Sequence, residues 1–412
     1  IQPIREWPWQ EITSLVLSPG VPLTHPKPHA VVELAKEHNC PVIGDIELLY
    51  RACPQARYVG ITGTNGKSTT TTLIGHILKT AGMKTEIGGN LGTAALALKK
   101  LGADGIYVIE TSSYQLDLLQ SVHFDVAAFT NVTPDHLDRH GSMDGYVAAK
   151  MHIFDRQQKG DTAVVAVDDD YTRTVAAVLK NRSKQTVAEV SGHQRLASGV
   201  YVEDGVLHDG KQRFDLTPIV TLTGRHNWQN AAVAYSVARA LDIAPDVIYS
   251  PMKTFGGLRH RLQLVATING VRFINDSKAT NADATSNALA PYDAIYWIAG
   301  GKAKEGGIDS LTEYFPKIAH AFLIGAAQED FATTLSKSNV AFMRCGTLAN
   351  ALKEASAKAF AEGRQNAVVL LSPACASFDQ WKSFEERGDA FCTMVEDMVS
   401  SHQSGEKQRH AF

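Results

Sequence analysis

Residues 58–78 read YVGITGTNGKSTTTTLIGHIL, and this stretch predicts the class of fold. It begins with β-forming residues, continues through a turn rich in glycine and threonine, and ends in an apolar pattern of helical spacing. The turn therefore joins a strand to a helix. At such a junction, backbone N–H groups and the helix N-terminus attract phosphate. We predict a phosphate-binding loop at this position.

The residues of this loop have separate predicted roles. Gly63 and Gly66 let the backbone curl so that its N–H groups point inward, and Lys67 supplies a cation. The hydroxyl of Ser68 or Thr69 is placed to hold Mg²⁺. One glycine of the usual P-loop pattern is missing, so the match is incomplete. The alternative is a glycine-rich turn that only connects the strand to the helix.

Composition limits the class of protein. The chain has 412 residues, of which 44% are hydrophobic, and this length suggests two or three domains. Its net charge of −3, with dispersed Lys and Arg, gives no basic surface for nucleic acid. The 5 cysteines include no CxxC pair, which argues against a disulfide framework and a zinc cluster. No apolar run approaches a membrane span. We predict a cytoplasmic protein that binds neither nucleic acid nor membrane.

The pattern of strands and helices predicts three α/β parts. Residues 1–45 supply two strands and one helix, too little for a core of their own. We expect them to pack on the next domain or to be the remainder of a truncated N-terminal domain. Residues 46–257 alternate strand and helix, which predicts a doubly wound, mostly parallel sheet. Residues 258–412 predict a second doubly wound domain, with a disordered tail from about residue 400.

Four polar residues follow the phosphate loop in the central part. Glu110 ends a predicted strand, and His136 follows another, so both lie at the carboxyl edge where open α/β sheets bind ligands. With Asn90 and Lys150 they would supply ligands for one or two Mg²⁺ ions on a nucleotide. Taken singly each signal is weak, because a lone histidine is more often structural and a helix lysine is more often exposed.

Eight segments, in this order, make the sequence recognisable: GITGTNGKSTTT, IETSSYQL, NVTPDHLDRHG, YVAAK, GRHNWQN, GLRHRLQ, INDSKATN and LLSPACASFDQWKSFEERG. Together they resemble the Mur ligase family over residues 13–395. The segment INDSKATN and the last segment look most like its D-glutamate-adding branch. The resemblance implies a three-domain, monomeric enzyme of peptidoglycan synthesis, with a P-loop ATPase-like centre and a Rossmann-like C-terminal domain. ATP would phosphorylate the carboxylate of UDP-N-acetylmuramoyl-L-alanine, and the amine of D-glutamate would attack the acyl phosphate.

The resemblance also implies residues for the nucleotide and the metal. The implied ATP-binding residues are Gly63, Thr64, Asn65, Gly66, Lys67, Ser68, Thr69, Asn90, Asn227, Asn230, Arg261 and Asp276. Ser68, Glu110, His136 and Lys150 would bind two Mg²⁺ ions, with Lys150 as a carbamate formed from CO₂. The implied catalytic residues are Lys67, His136, Lys150 and Arg261. For Asn227 and Asn230 the alternative is capping of the helix that they begin.

Two further sets of residues are implied for the substrates. The D-glutamate set is Ser277, Lys278, Thr280, Lys304, Ser377 and Phe384, and the UDP-sugar set is Ser18, Gly20, Asn90, Ser112 and Gln115. A dianionic amino acid calls for a lysine and several hydroxyl or N–H donors. The alternative role for Ser377 is the N-cap of a helix beginning near Phe378.

Two other functions remain open at this point. The first is another Mur-type or folylpolyglutamate-type ligase, which would share the phosphate loop. The second is a nucleotide-binding protein that lacks ligase activity because its N-terminal domain is truncated.

Overall fold

The computed structural model describes residues 2–25, 27–303 and 306–409. The chain divides into two compact units, Ile1–Phe255 and Gly256–Phe412. The further division of the first unit after residue 45 stays a prediction. Among the described residues, no helix combines the length and the apolar composition that crossing a membrane requires.

The first unit begins with a small α/β layer. Strands β1 (Leu15–Val16) and β2 (Val42–Ile43) pair in parallel, and helices α1 (Ala30–Glu37) and α2 (Asp45–Ala52) follow them in turn. Buried Leu17 and Val32 belong to the core of this layer, which also contains Leu118 from farther along the chain. The layer therefore shares its core with the rest of the first unit.

A nine-stranded sheet forms the centre of the first unit. Its strands are β3 (Arg57–Thr62), β4 (Lys84–Gly89), β5 (Gly105–Glu110), β6 (Val126–Phe129), β7 (Thr162–Ala166), β8 (Thr186–Ser191), β9 (Val200–Glu203), β10 (Val206–Asp209) and β11 (Gln212–Asp215). Their order is β11-β10-β9-β8-β7-β6-β3-β5-β4. The pairs from β4 to β9 are parallel, and β9, β10 and β11 pair antiparallel. The predicted mostly parallel sheet is confirmed.

Helices cover both faces of this sheet. They are α3 (Lys67–Thr80), α4 (Ser113–Leu116), α5 (Leu137–His140), α6 (Met143–Met151), α7 (Asp170–Arg182), α8 (Arg225–Ala240) and α9 (Pro245–Lys253). Val59 of β3 packs in one core with Leu73 of α3, whereas the adjacent Tyr58 belongs to the core that contains Leu179 of α7. Successive side chains of a strand point to opposite faces, so a strand buried on both faces carries apolar residues at successive positions. Tyr58, Val59 and Ile61 of β3 are all fully buried, and the doubly wound prediction is confirmed.

The second unit is a six-stranded sheet with helices on both faces. Its strands are β12 (Gln263–Ile268), β13 (Val271–Asn275), β14 (Ile295–Gly300), β15 (Ile318–Ile324), β16 (Phe342–Gly346) and β17 (Val368–Leu371). Its helices are α10 (Ala282–Leu289), α11 (Gln328–Lys337), α12 (Leu348–Glu362) and α13 (Phe384–Arg409). The order is β12-β13-β17-β14-β15-β16, with β12 alone antiparallel to its neighbour among these strands. The predicted Rossmann-like domain is confirmed.

Helix α13 continues through residue 400 and ends at Arg409. The hydroxyls of Ser400 and Ser401 donate to the carbonyls of Glu396 and Asp397. These two hydroxyls thus find hydrogen-bond acceptors within the helix. The disorder expected from about residue 400 stays a prediction.

Replacement of Leu73 tests the packing of α3 on the sheet. Leu73→Ala should lower the unfolding free energy of the first unit by about 2–5 kcal/mol, because it leaves a cavity in the core. Lys79→Ala is the matched control, since Lys79 is exposed on the same helix, and it should change that energy by less than about 0.5 kcal/mol. Urea unfolding followed by circular dichroism measures both. Equal losses of unfolding free energy in the two variants would contradict the assignment of Leu73 to the buried face of α3.

Candidate functional site

The predicted phosphate loop connects β3 to α3, and its two glycines are required by close contacts. Gly63 has φ +142° and Gly66 has φ +79°. A Cβ on Gly63 would lie 2.0 Å from Thr130 Oγ1, and one on Gly66 would lie 2.1 Å from Asn230 Oδ1. Neither position has room for a side chain. The loop is therefore packed tightly against the end of β6 and the first turns of α8.

Asn131, two residues after the end of β6, fixes the tip of the loop. Its carbonyl accepts from Thr64 N at 2.9 Å, and its Oδ1 accepts from Asn65 N at 2.8 Å. Ser68 is buried in the first turn of α3, and Thr69 beside it is half-buried. The sequence showed that Asn131 ends a strand, but it did not reveal this role in holding the loop.

Two lysines converge on the same backbone carbonyl. Lys67 Nζ donates to Gly63 O at 3.0 Å and to Thr64 O at 2.7 Å, and Lys150 Nζ from α6 donates to Gly63 O at 2.8 Å. The Lys150 side chain is 1% exposed, and its Nζ lies 4.4 Å from the centre of the Tyr146 ring. Burial, and then the charge of Lys67, lower the pKa of Lys150 to about 7. The alternative for Lys150, an ordinary exposed lysine on a helix, is therefore wrong.

Glu110 offers an oxygen that suits a cation. It lies at the carboxyl end of β5 and is 2% exposed. Its Oε1 accepts from Asn90 Nδ2 at 3.0 Å, while its Oε2 is buried and has no partner among the described residues. Buried polar atoms in native proteins are nearly always satisfied, and carboxylate oxygen is a preferred ligand of Mg²⁺. Glu110 therefore fits the predicted metal site.

His136 occupies a strained position next to an aromatic cluster. It precedes α5 with φ +51°, a left-handed conformation that residues other than glycine seldom adopt. Its ring centre lies 5.1 Å from that of Tyr114, and its Nε2 lies 3.4 Å from Asp135 Oδ2. Backbone strain of this kind is concentrated at functional sites. The binding of a metal ion by His136 stays a prediction.

One group of three His, Cys, Asp or Glu side chains among the described residues is compact enough to share a metal ion, and it does not include Glu110 or His136. His123, Asp125 and Asp161 have ligand atoms within 4.8 Å of one another. They precede β6 and β7, at the opposite edge of the sheet. Asp125 already accepts from Tyr58 N at 2.7 Å, and His123 pairs with Asp161 at 2.7 Å. These contacts explain the cluster as part of the fold.

Asn227 and Asn230 do not cap helix α8. Gly224 is the N-cap, and no side chain makes a capping hydrogen bond there. Asn227 Nδ2 donates to Thr223 O at 3.1 Å, and Asn230 Nδ2 donates to Asn227 Oδ1 at 3.2 Å. The capping alternative is wrong for both residues. Asn230 instead contacts the phosphate loop.

The residues predicted for the UDP-sugar lie in two places in the first unit. Ser18 and Gly20 belong to an exposed loop after β1. Ser112 and Gln115 form a reciprocal capping box at α4, in which Gln115 N donates to Ser112 Oγ at 3.3 Å and Ser112 N donates to Gln115 Oε1 at 3.1 Å. This pair has a clear structural role, and its contact with a substrate stays a prediction.

In the second unit, Asp276 holds the turn that carries Arg261. Asp276 Oδ1 accepts from Leu262 N at 3.1 Å, and its Oδ2 accepts from Ser372 Oγ at 2.8 Å. Burial raises the pKa of Asp276 to about 7. Arg261 itself is exposed. The predicted contacts of both residues with the nucleotide stay predictions.

The residues predicted to bind D-glutamate come partly together at the start of α13. Ser277 Oγ donates to Phe384 O at 2.8 Å, and Lys278 Nζ lies 5.8 Å from the Phe384 ring centre. Thr280, two residues after Lys278, is half-buried. Lys304 lies outside the described residues.

Ser377 is not a helix cap. Residues 378–380 form a turn, in which Ser377 O accepts from Gln380 N at 3.1 Å and from Trp381 N at 2.9 Å. The next helix begins only at Phe384, so the predicted helix near Phe378 is wrong. The hydroxyl of Ser377 is buried and has no partner among the described residues. Its hydrogen-bonding capacity is therefore unused by the described residues.

Arg387 is a residue of this region that sequence reasoning missed. Its Nε donates to Ser277 Oγ at 2.9 Å, and its Nη2 donates to Ser277 O at 2.9 Å and to Cys375 O at 3.1 Å. It lies one helical turn after Phe384 in the segment FEERG. That spacing was visible in the sequence, but nothing in it marked the arginine as buried.

The chain matches two domain models of one family. They are the Mur ligase middle domain over residues 61–238 and the Mur ligase glutamate ligase domain over residues 260–375. The chain is 51% identical to the UDP-N-acetylmuramoylalanine--D-glutamate ligase of Paramagnetospirillum magneticum, over 96% of this chain and 87% of that protein. It is 50% identical to the ligase of the same name from Rhodospirillum rubrum, over 97% of this chain and 84% of that protein.

Solved structures share the fold at low sequence identity. A UDP-N-acetylmuramoyl-L-alanyl-D-glutamate--2,6-diaminopimelate ligase is 18% identical, with a TM-score of 0.61 over 96% of this chain and 98% of that one. The UDP-N-acetylmuramate-alanine ligase of Thermotoga maritima is 15% identical, with a TM-score of 0.58 over 97% of this chain and 88% of that one. From the domain matches and the relatives at about half identity, this chain belongs to the Mur ligase family.

Proposed function

We propose that this chain is an ATP-dependent ligase that adds D-glutamate to UDP-N-acetylmuramoyl-L-alanine in peptidoglycan synthesis. The observation that carries the proposal is the pair of lysines on the Gly63 carbonyl, in a chain about half identical to ligases of that name. We also propose that it acts as a monomer in the cytoplasm, where ATP is available.

The chemistry follows from the poor reactivity of a carboxylate. A carboxylate oxygen of the substrate first bonds to the γ-phosphorus of ATP, and the bond between that phosphorus and ADP breaks. The amine of D-glutamate then attacks the acyl carbon, the C–O bond to phosphate breaks, and the amine loses a proton. Phosphoryl transfer depends mainly on positioning and charge neutralisation. The loop N–H groups and Lys67 would position the phosphates and neutralise their charge.

The residues around the loop fit a nucleotide with its metal. Ser68 and Glu110 would hold one Mg²⁺, and the unpartnered Oε2 of Glu110 is the observation in favour. We propose His136 and Lys150 as ligands of a second ion. Bound Mg²⁺ would neutralise charge that develops on the phosphates.

Lys150 suits carbamylation because a large fraction of its amine is neutral near pH 7. Only the neutral amine reacts with CO₂, forming an N–C bond and releasing one proton. Burial and the charge of Lys67 bring the pKa of Lys150 to about 7, so much of the amine is neutral under physiological conditions. The carbamate would replace a cation, which repels metal ions, with an oxygen ligand that attracts them.

The remaining predicted residues are proposed to bind the substrates. Asn90, Asn227 and Asn230 would contact the adenine, and Arg261 and Asp276 the phosphate and ribose. Ser18, Gly20, Ser112 and Gln115 would contact the UDP-sugar. Ser277, Lys278, Thr280, Lys304, Ser377 and Phe384 would contact D-glutamate.

An assay of ADP release tests the proposed reaction. Continuous ADP release over many turnovers should require UDP-N-acetylmuramoyl-L-alanine and D-glutamate together, because the acyl phosphate must react with the amine before the next ATP is used. Lys67→Ala should remove this activity while circular dichroism stays unchanged, because the Lys67 ammonium contacts loop carbonyls rather than the core and is proposed to bind phosphate. Efficient use of lysine or diaminopimelate in place of D-glutamate would count against the proposal.

Two glycine variants test the contact between the loop and α8. Gly66→Ala should weaken binding of a fluorescent ATP analogue by about tenfold or more, because its Cβ would displace Asn230. Gly82→Ala is the control. Gly82 has φ +80°, close to the +79° of Gly66, but its added Cβ would meet nothing within 4 Å. Both variants bear similar backbone strain, so equal binding by the two would refute a role for the contact.

Carbamylation of Lys150 is tested with ¹³C-labelled CO₂. A carbamate signal should appear in the NMR spectrum, should vanish in Lys150→Met and should persist in Lys79→Met. The pKa of Lys150 is lowered to about 7, so the neutral amine dominates above that pH and is lost below it. At constant dissolved CO₂ the signal should fall by about tenfold or more from pH 8 to pH 6. A signal independent of pH in this range would contradict the assignment.

A further inference from the structure

Arg387 is a buried cation that forms no salt bridge with a described Asp or Glu. Its side chain is 0% exposed, and the charge of nearby Asp379 favours its charged form without a salt bridge between them. Burial lowers the pKa of its guanidinium to about 10, which still leaves it charged at neutral pH. An unpaired buried charge is costly, and such groups are concentrated at functional sites. An anionic ligand would supply countercharge in addition to that of Asp379.

The guanidinium connects three segments that were each predicted to bind D-glutamate. It donates to Ser277 Oγ, to Ser277 O and to Cys375 O, two residues before Ser377. Ser277 Oγ in turn donates to Phe384 O at 2.8 Å. All of these residues lie in the second unit. Arg387 therefore lies at the centre of the predicted amino-acid subsite.

This arrangement changes the role expected of Ser277. A hydroxyl has one hydrogen, and that of Ser277 is already donated to Phe384 O. Ser277 therefore positions its neighbours while this bond persists. Arg387 retains donor capacity, because its Nη1 is buried without a partner among the described residues. Nη1 lies beside Gly301, where an added Cβ would come within 3.2 Å of it.

We propose that Arg387 is a positioning residue and the fixed positive charge of the amino-acid subsite, and that it favours an amino acid with a second carboxylate. The inference rests on the proposed function, which it deepens by naming a determinant of substrate class. Charges interact over longer distances in a protein interior than in water, so Arg387 need not touch the carboxylate that it attracts. Its hydrogen bonds hold Ser277 and the backbone at Cys375 in place.

Two substitutions separate the charge from the hydrogen bonds. Arg387→Lys keeps the charge, and Arg387→Gln keeps a donor but removes the charge. Arg387→Gln should raise the KM for D-glutamate by about 30-fold and leave the KM for ATP within about twofold. Its preference for D-glutamate over the neutral D-glutamine should fall by about tenfold or more, whereas Arg387→Lys should keep that preference within about threefold. Arg344→Gln is the control. It should change neither the KM for D-glutamate nor the preference over D-glutamine, because Arg344 is exposed and pairs with Glu329.

The outcomes distinguish this inference from the proposed function. Loss of the preference in Arg387→Lys and Arg387→Gln alike would overturn the role of the charge, as would an unchanged preference in Arg387→Gln. A parallel rise in both KM values would show a purely structural role. If a thermal melt shows that Arg387→Gln is not folded, the test rests on Arg387→Lys. A raised KM for D-glutamate alone, with the preference for D-glutamate over D-glutamine kept, supports the inference. Loss of that preference refutes it. Wild-type protein without D-glutamate-dependent ADP release would instead refute the proposed function.

Discussion

The carbonyl oxygen of Gly63 accepts hydrogen bonds from both Lys67 and Lys150, at 3.0 and 2.8 Å. Burial disfavours the ammonium form of Lys150, and the charge of Lys67 adds to this effect, so the pKa of Lys150 falls to about 7. The phosphate loop is thereby tied to helix α6, and a reactive neutral amine is created next to it. The proposed nucleotide and metal chemistry depends on this shared contact.

A different constraint organises the second unit. Asp276, Ser277 and Arg387 are all buried, although each is polar or charged. Such groups stabilise a protein only when their hydrogen bonds are satisfied. Both carboxylate oxygens of Asp276 have partners, whereas Arg387 Nη1 and Ser377 Oγ have none among the described residues. The unsatisfied atoms belong to the segments that the family resemblance assigns to the amino acid.

Much of the fold and part of the site followed from local sequence patterns. The strand, turn and helix around Gly66 were predictable because glycine spacing and apolar periodicity act over a few residues. The contact between Gly66 and Asn230 was not, because it joins positions far apart in the chain. The start of α13 at Phe384 was missed for a similar reason. Ser377 resembles a helix cap, but its carbonyl closes a turn instead. The burial of Arg387 depends on tertiary packing that no local pattern records.

The central claim is that the substrate carboxylate is phosphorylated before the amine attacks. It is tested most directly with UDP-N-acetylmuramoyl-L-alanine carrying ¹⁸O in both oxygens of its terminal carboxylate. The bond that breaks in the second step lies between the acyl carbon and the labelled oxygen, so that oxygen leaves with phosphate. The account predicts one ¹⁸O atom in each inorganic phosphate released in the presence of ATP and D-glutamate. Phosphate without label, alongside normal product formation, would contradict it.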